Sequence, residues 1–205
     1  MSKTNTRILI IEDDEKLANT IERRLYLEGI DHFVAPVKGR TFKEDLAKIE
    51  KILVEKTFDL VILDIVFDPS LTMSTPETNG LAVLKVIREY DKFVPVLVFT
   101  GFPNDIDQGA LVREGANYLI IKGEDNAIMD AVTRFLKEHD EIIKELEAMV
   151  EGNPKADAPV LQKGDKRYSL KEMLTEMKKG TQEGNQLYKL YKTGLSEMLM
   201  RTKKE

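Results

Sequence analysis

The chain has 205 residues, of which 42% are hydrophobic and 33% charged, with no cysteine and two histidines. That suits one folded domain plus a remainder, with core enough to need no staples, and it excludes a disulfide scaffold, a thiolate metal site, a cysteine nucleophile and a histidine-rich metal centre. The net charge of −5 divides unevenly: residues 151–205 carry 12 Lys/Arg against 8 Asp/Glu, so a tail of +4 follows a body of −9, and nucleic acid is not the expected partner.

The opening MSKTNTR has no apolar stretch, and no apolar run approaches the roughly 20 residues of a membrane span. No membrane association and a cytoplasmic location are expected. Residues 7–11 (RILII) predict a buried strand. Residues 14–28 carry Leu17, Ile21 and Leu25 at four-residue steps, a helix stopped by Gly29. A second strand is predicted over 30–35 and a helix over 41–55, striped by Phe42, Leu46, Ile49 and Leu53. Residues 58–63 (FDLVIL) give a third strand, 68–79 a Pro/Ser/Thr-rich loop and 81–90 a helix. A fourth strand spans 94–100 with Pro95 held to its start. A short helix over 106–114, a fifth strand over 116–121 and a helix running from 124 to about 150 follow.

Strand–helix units repeated in this way predict an α/β fold, a doubly wound five-stranded parallel sheet with helices on both faces. Sites in such sheets lie at the carboxyl ends of the strands, where strand order reverses. There the sequence places Glu12, Asp13 and Asp14 after strand one, Asp64 after strand three, Thr100 after strand four and Lys122 after strand five. Carboxylates converging from two strand ends repel one another unless a cation lies among them, and oxygen-only donors select a hard ion such as Mg²⁺. Lys122 adds a charge suited to a phosphoryl oxygen and Thr100 a hydroxyl donor. Together these groups describe phosphoryl transfer onto an aspartate. Asp14 also reads as the cap of the first helix.

Residues 3–140 resemble the receiver domain of two-component response regulators, with a CheY-like, flavodoxin-like fold. The resemblance rests on five segments in order: RILIIEDDEKLANTIERRLYLEG, FDLVILDI, NGLAVLKVIRE, VPVLVFTG and REGANYLIIK. It implies that Asp64 is the phosphoacceptor, that Glu12 and Asp13 are the acidic pair with Asp13 the direct Mg²⁺ ligand, and that the backbone carbonyl of Val66 is a further ligand. It implies that Thr100 is the switch hydroxyl and Lys122 its charge partner. The implied phosphodonor is a histidine kinase or histidine phosphotransfer protein. Apolar Val66 and Phe102 are expected to restrict hydrolytic water.

The chain departs from the family in three places. The segment from Asp64 to Gly80 carries an insertion, Gly123 follows Lys122 where a proline is usual, and Leu119 stands where an aromatic usually flips inward. Tyr118 is one place earlier and is expected on the opposite face. A phosphorylation-independent pseudo-receiver, acting as a binding or scaffold module, is therefore the competing reading.

The last receiver helix continues the stripe Ile128, Val132, Phe135, His139, Ile142, Leu146, Met149, which fits a coiled-coil seam and predicts a homodimer. Residues 151–168 read as a linker. Residues 169–202 read as an α-helical hairpin extension that folds back or dimerises, with Ser169 and Glu172 as a capping box. No helix-turn-helix or separate catalytic signature occurs in the tail, so output by protein association is expected.

Overall fold

The computed structural model describes residues 7–35, 37, 42–65, 79–91, 94–101, 108–123, 126–179 and 181–202. Residues 8–11 and 60–63 are at most 1% exposed. Aliphatic runs of this kind, often β-branched, reach such burial only in a parallel sheet covered on both faces. The strands are β1 (Arg7–Ile11), β2 (Asp31–Val34), β3 (Leu60–Asp64), β4 (Val96–Thr100) and β5 (Tyr118–Ile121), all parallel in the order β2-β1-β3-β4-β5. The intervening helices are α1 (Glu15–Leu27), α2 (Phe42–Glu55), α3 (Asn79–Tyr90) and α4 (Gln108–Arg113), with α5 (Ala127–Gly152) following β5.

Asp14 starts α1 by accepting from the amides of Lys16 and Leu17 at 2.9 and 3.3 Å, which satisfies donors that have no partner inside the helix. The principal core joins Leu9, Ile11, Val61 and Leu63 of the sheet to Ile49 and Ile52 of α2 and Val83, Leu84 and Ile87 of α3. At about 1.5–3 kcal/mol per fully buried aliphatic side chain, this cluster dominates the stability of the sheet. Arg88 closes the lower end of α3. Its guanidinium donates to the carbonyls of Asp91, Val94 and Gly115, at 3.1, 2.7 and 2.5 Å. None of the described helices is long and apolar enough to cross a membrane.

The chain divides into two compact units, Met1–Thr133 and Arg134–Glu205, with the boundary inside α5. The second unit corrects the expectation of a linker over 151–168. Pro159–Lys163 and Lys166–Ser169 form strands β6 and β7 of an antiparallel hairpin. The signal was the dipeptide Gly164–Asp165 between two short runs, a two-residue hairpin turn masked by the surrounding charge. Ser169 then starts α6 (Leu170–Lys178) through a full capping box with Glu172, as the sequence predicts, and α7 (Gln182–Thr202) follows.

A two-stranded hairpin has too little core of its own, and here helices supply it. Leu146, Tyr168, Met173, Leu174, Met177, Leu187 and Tyr188 bury one another, with Ile142, Ile143 and Val150 packed against them. Lys163 reaches Glu183 at 2.7 Å and also Gln186, and the Tyr168 hydroxyl donates to Glu183, tying the hairpin to α7. The His139 ring lies 4.5 Å from that of Tyr188. Ile142 and Leu146 of the α5 stripe are thus covered within the same chain, while Met149 is 40% exposed.

Candidate functional site

β1 has β2 on one side and β3 on the other, so the chain leaves β1 and β3 in opposite directions and opens a crevice at their carboxyl ends. Glu12 and Asp13 follow β1 directly, and Asp64 is the last residue of β3. One oxygen from each of these three carboxylates lies within 4.8 Å of the others. Lys122, just past β5, reaches in with its Nζ 2.8 Å from Asp64 Oδ2 and 2.9 Å from Glu12 Oε2. Glu12 Oε1 also accepts from the amide of Asp14, at 3.1 Å. The Asp14 carboxylate is spent on capping α1 and does not join the cluster.

Thr100 ends β4 fully buried, and its carbonyl accepts from the amide of Lys122 at 2.7 Å. That bond brings the residue offering a hydroxyl and the residue offering an ammonium to the same sheet end. Val66, Phe102 and all of the insertion at 68–79 but its last residue, Asn79, lie outside the described residues.

Sequence reasoning missed the part played by Gly80. It opens α3 and donates to the carbonyl of Ile65 at 3.1 Å. A Cβ there would fall 2.3 Å from Ile65 Cα and 2.7 Å from the carbonyl oxygen of Asp64. Helix α3 therefore rests on the backbone that carries Asp64, a closeness only glycine permits. A small residue at the first turn of a helix entering from a long loop was the available signal. Gly123 adopts φ +105°, which proline with φ near −65° cannot follow. Leu119 is 36% exposed and Tyr118 half-buried, so the edge strand β5 shows no aromatic at the position where the family's flipping residue stands.

The cluster holds more negative charge than Lys122 neutralises. Burial, then the neighbouring Asp64, push the Glu12 carboxyl up to about 8, against the pull of Lys122. Burial and Asp64 also raise Asp13. Burial works against the charge of Lys122, but Asp64 and Glu12 outweigh it and the net shift is upward. All the donors are hard oxygens with surplus negative charge, the set that suits Mg²⁺ and not a soft or imidazole-seeking metal.

One consequence is a pH dependence of the metal-free protein. Folded Glu12 keeps its proton to about pH 8, whereas the unfolded chain loses it near 4.5. Unfolding then releases a proton across that window, so stability falls as pH rises through it. A divalent cation held by these carboxylates would prefer their ionised forms and so would offset the loss. Melting temperatures in EDTA should be lower at about pH 8 than at about pH 5.5, and added Mg²⁺ should raise them more at the higher pH. A melting temperature that rises with pH in EDTA contradicts this account of Glu12.

Comparison with known proteins places residues 8–134 in a family. Residues 8–134 match the family model described as the response regulator receiver domain. A probable transcriptional regulatory protein of Picosynechococcus is 31% identical over 119 residues, 58% of this chain and 44% of that protein. The response regulator ArlR of Staphylococcus saprophyticus is 30% identical over 117 residues, 57% of this chain and 46% of its own. The chain thus spans less than half the length of these curated relatives. Among solved structures, the receiver domain of a Francisella response regulator matches with a TM-score of 0.51 at 19% identity, covering 65% of this chain and 98% of that one, a likeness of fold.

Proposed function

This chain belongs to the response regulator receiver domain family, and from that premise we propose that it accepts a phosphoryl group on Asp64 from a histidine kinase or histidine phosphotransfer protein. The observation that carries the reading is Lys122 bridging Asp64 and Glu12 at 2.8 and 2.9 Å within a triad of carboxylates at the strand ends.

In this reading Asp64 is the nucleophile. An oxygen of its carboxylate forms the new bond to phosphorus as the bond from phosphorus to the donor imidazole nitrogen breaks, and the electron pair stays on that nitrogen. Lys122, already poised on Asp64, turns its donors to a phosphoryl oxygen, and the Thr100 hydroxyl serves another. Glu12 and Asp13, with Asp64 and the carbonyl of Val66, are the residues that would hold Mg²⁺. Bound there, the ion supplies charge neutralisation for the carboxylates and the incoming phosphoryl group.

Output, in the same proposal, is protein association through the unit Arg134–Glu205. Ile142 and Leu146 pack inside that unit, so a homodimer would use its other faces. The tail's charge is mixed, 12 Lys/Arg against 8 Asp/Glu over residues 151–205, and nucleic acid is not the partner proposed.

The test is intact-protein mass after incubation with acetyl phosphate and Mg²⁺, with light scattering on the same samples. One added group of about 80 Da, absent without Mg²⁺ and absent in Asp64→Ala, supports the receiver reading. A change in scattering mass on phosphorylation supports output by association, and an unchanged monomer refutes it. The exposed Leu119 and the turn at Gly123 favour the pseudo-receiver as the second reading. It prevails if neither acetyl phosphate nor a phosphohistidine donor alters the mass.

A further inference from the structure

Phe99 is the residue of β4 paired with Asp64 in the parallel ladder, one position before Thr100. Strand alternation turns its ring to the face opposite the Thr100 side chain, where α1 and α5 pack. The ring is 4% exposed. On one side it borders a pocket of about 110 Å³ lined by Leu17 and Ile21 of α1, Gly123, and Ile128 and Met129 of α5. Against another part of the ring stands the Lys122 ammonium, with Nζ 5.4 Å from the centroid. Thr20 and Arg24 of α1 line the same pocket; the strand and two helices hold the ring, and Lys122 is the cation placed over its face.

Among the described residues, Asp64, Glu12 and the Phe99 ring border the ammonium. In the reading proposed above, two of them change during the reaction. Asp64 takes the phosphoryl group, and Glu12 turns to the metal. The ring alone keeps its place and charge distribution throughout. Resting on that reading, we propose that Phe99 is a positioning residue, whose π-face holds the Lys122 ammonium over the acceptor while its carboxylate partners are reassigned. A cation over an aromatic face at this distance is within range of attraction, and partial desolvation strengthens it.

The experiment replaces Phe99 by phenylalanines of increasing fluorination, which drain the π-face at nearly constant shape, alongside Phe99→Tyr, Phe99→Trp and Phe99→Leu. The rate of Asp64 phosphorylation by acetyl phosphate and Mg²⁺ should fall stepwise with fluorination, to about five-fold below wild type for the most fluorinated ring and for leucine, with tyrosine or tryptophan retaining it. In protein carrying ¹³C at the lysine ε-carbons, the Lys122 ε-methylene protons should be shifted upfield by the ring, and Phe99→Leu should abolish that shift whether or not phosphate is added. A flat rate series, or ε-methylene protons at ordinary positions in wild type, overturns the inference while the receiver reading stands. A wild-type protein that takes up no phosphate overturns the reading it rests on, and the positioning role with it.

Discussion

Lys122→Ala should lower the rate of phosphoryl uptake from acetyl phosphate by about 100-fold or more, the cost of deleting one preorganised donor to developing charge. It should also change stability, and in a direction set by the metal. Lys122→Ala removes the ammonium that lies against the carboxyl groups of Glu12 and Asp64, each at most 5% exposed. Breaking a buried ion pair from one side costs about 3–5 kcal/mol, with the lower end expected here because the lysine side chain is 24% exposed. Mg²⁺ substitutes for the lost charge, so the variant should gain more from the ion than wild type does. Lys122→Arg should recover most of the stability and little of the rate, since a planar fork cannot take the place of a compact ammonium between two carboxylates. Mass time courses and melts with EDTA or Mg²⁺ measure both. Uptake in Lys122→Ala within a few-fold of wild type would remove the lysine from the mechanism.

The second large effect is expected far from any charge. Gly80→Ala drives a methyl group to 2.3 Å from Ile65 Cα and 2.6 Å from the Ile65 carbonyl. Both are backbone atoms, which cannot swing aside as a side chain does. Either α3 lifts from β3 or the segment carrying Asp64 shifts. Overpacking of a well-filled site costs about 1–3 kcal/mol even where side chains can adjust, and more is expected here. Denaturant unfolding should show that loss, and phosphoryl uptake by the folded fraction should drop with it. Gly194→Ala is the contrast: Gly194 lies in α7 with nothing within 4 Å of a built Cβ, so helix propensity should make it neutral or stabilising by up to about 1 kcal/mol. If Gly80→Ala is as stable as wild type, the close approach of α3 to the acceptor strand does not matter to the fold.

The receiver fold was legible because its signals are local. RILII, FDLVIL and VPVLVFT are apolar in every or nearly every position, which only a strand buried on both faces tolerates, and each stripe between them repeats at helical spacing. Once the units alternate, right-handed crossovers bring all strand ends with acidic, hydroxyl or amino side chains to one edge. So Glu12, Asp13, Asp64, Thr100 and Lys122 meet where their chain positions imply. Their chemical roles rest on the proposed reaction and its tests.

The C-terminal unit was less legible. Leu146 reads the same on a helix that dimerises and on one that folds its own tail over itself. A stripe states that a face needs covering and says nothing of what covers it. Here the cover is Tyr168, Met173, Leu174, Met177 and Leu187 of the same chain. Charge around Gly164–Asp165 likewise hid a hairpin that is held by residues distant in sequence, Glu183 and Gln186 of a later helix and the apolar cluster around Tyr168.

By itself, the sequence determined the order and period of the receiver elements, the strand ends at which acidic, hydroxyl and amino side chains stand, and the caps at Asp14 and Ser169, because each depends on neighbours within about a turn or two of the chain. Only the tertiary structure decided that Gly80 lies against the backbone of Asp64 and Ile65, that Lys122 stands over Phe99 and that Ile142 and Leu146 of the α5 stripe are covered from within. Each of these is a contact between residues distant in the chain, chosen by how volumes fit once the sheet and helices have packed, and no local pattern encodes that fit.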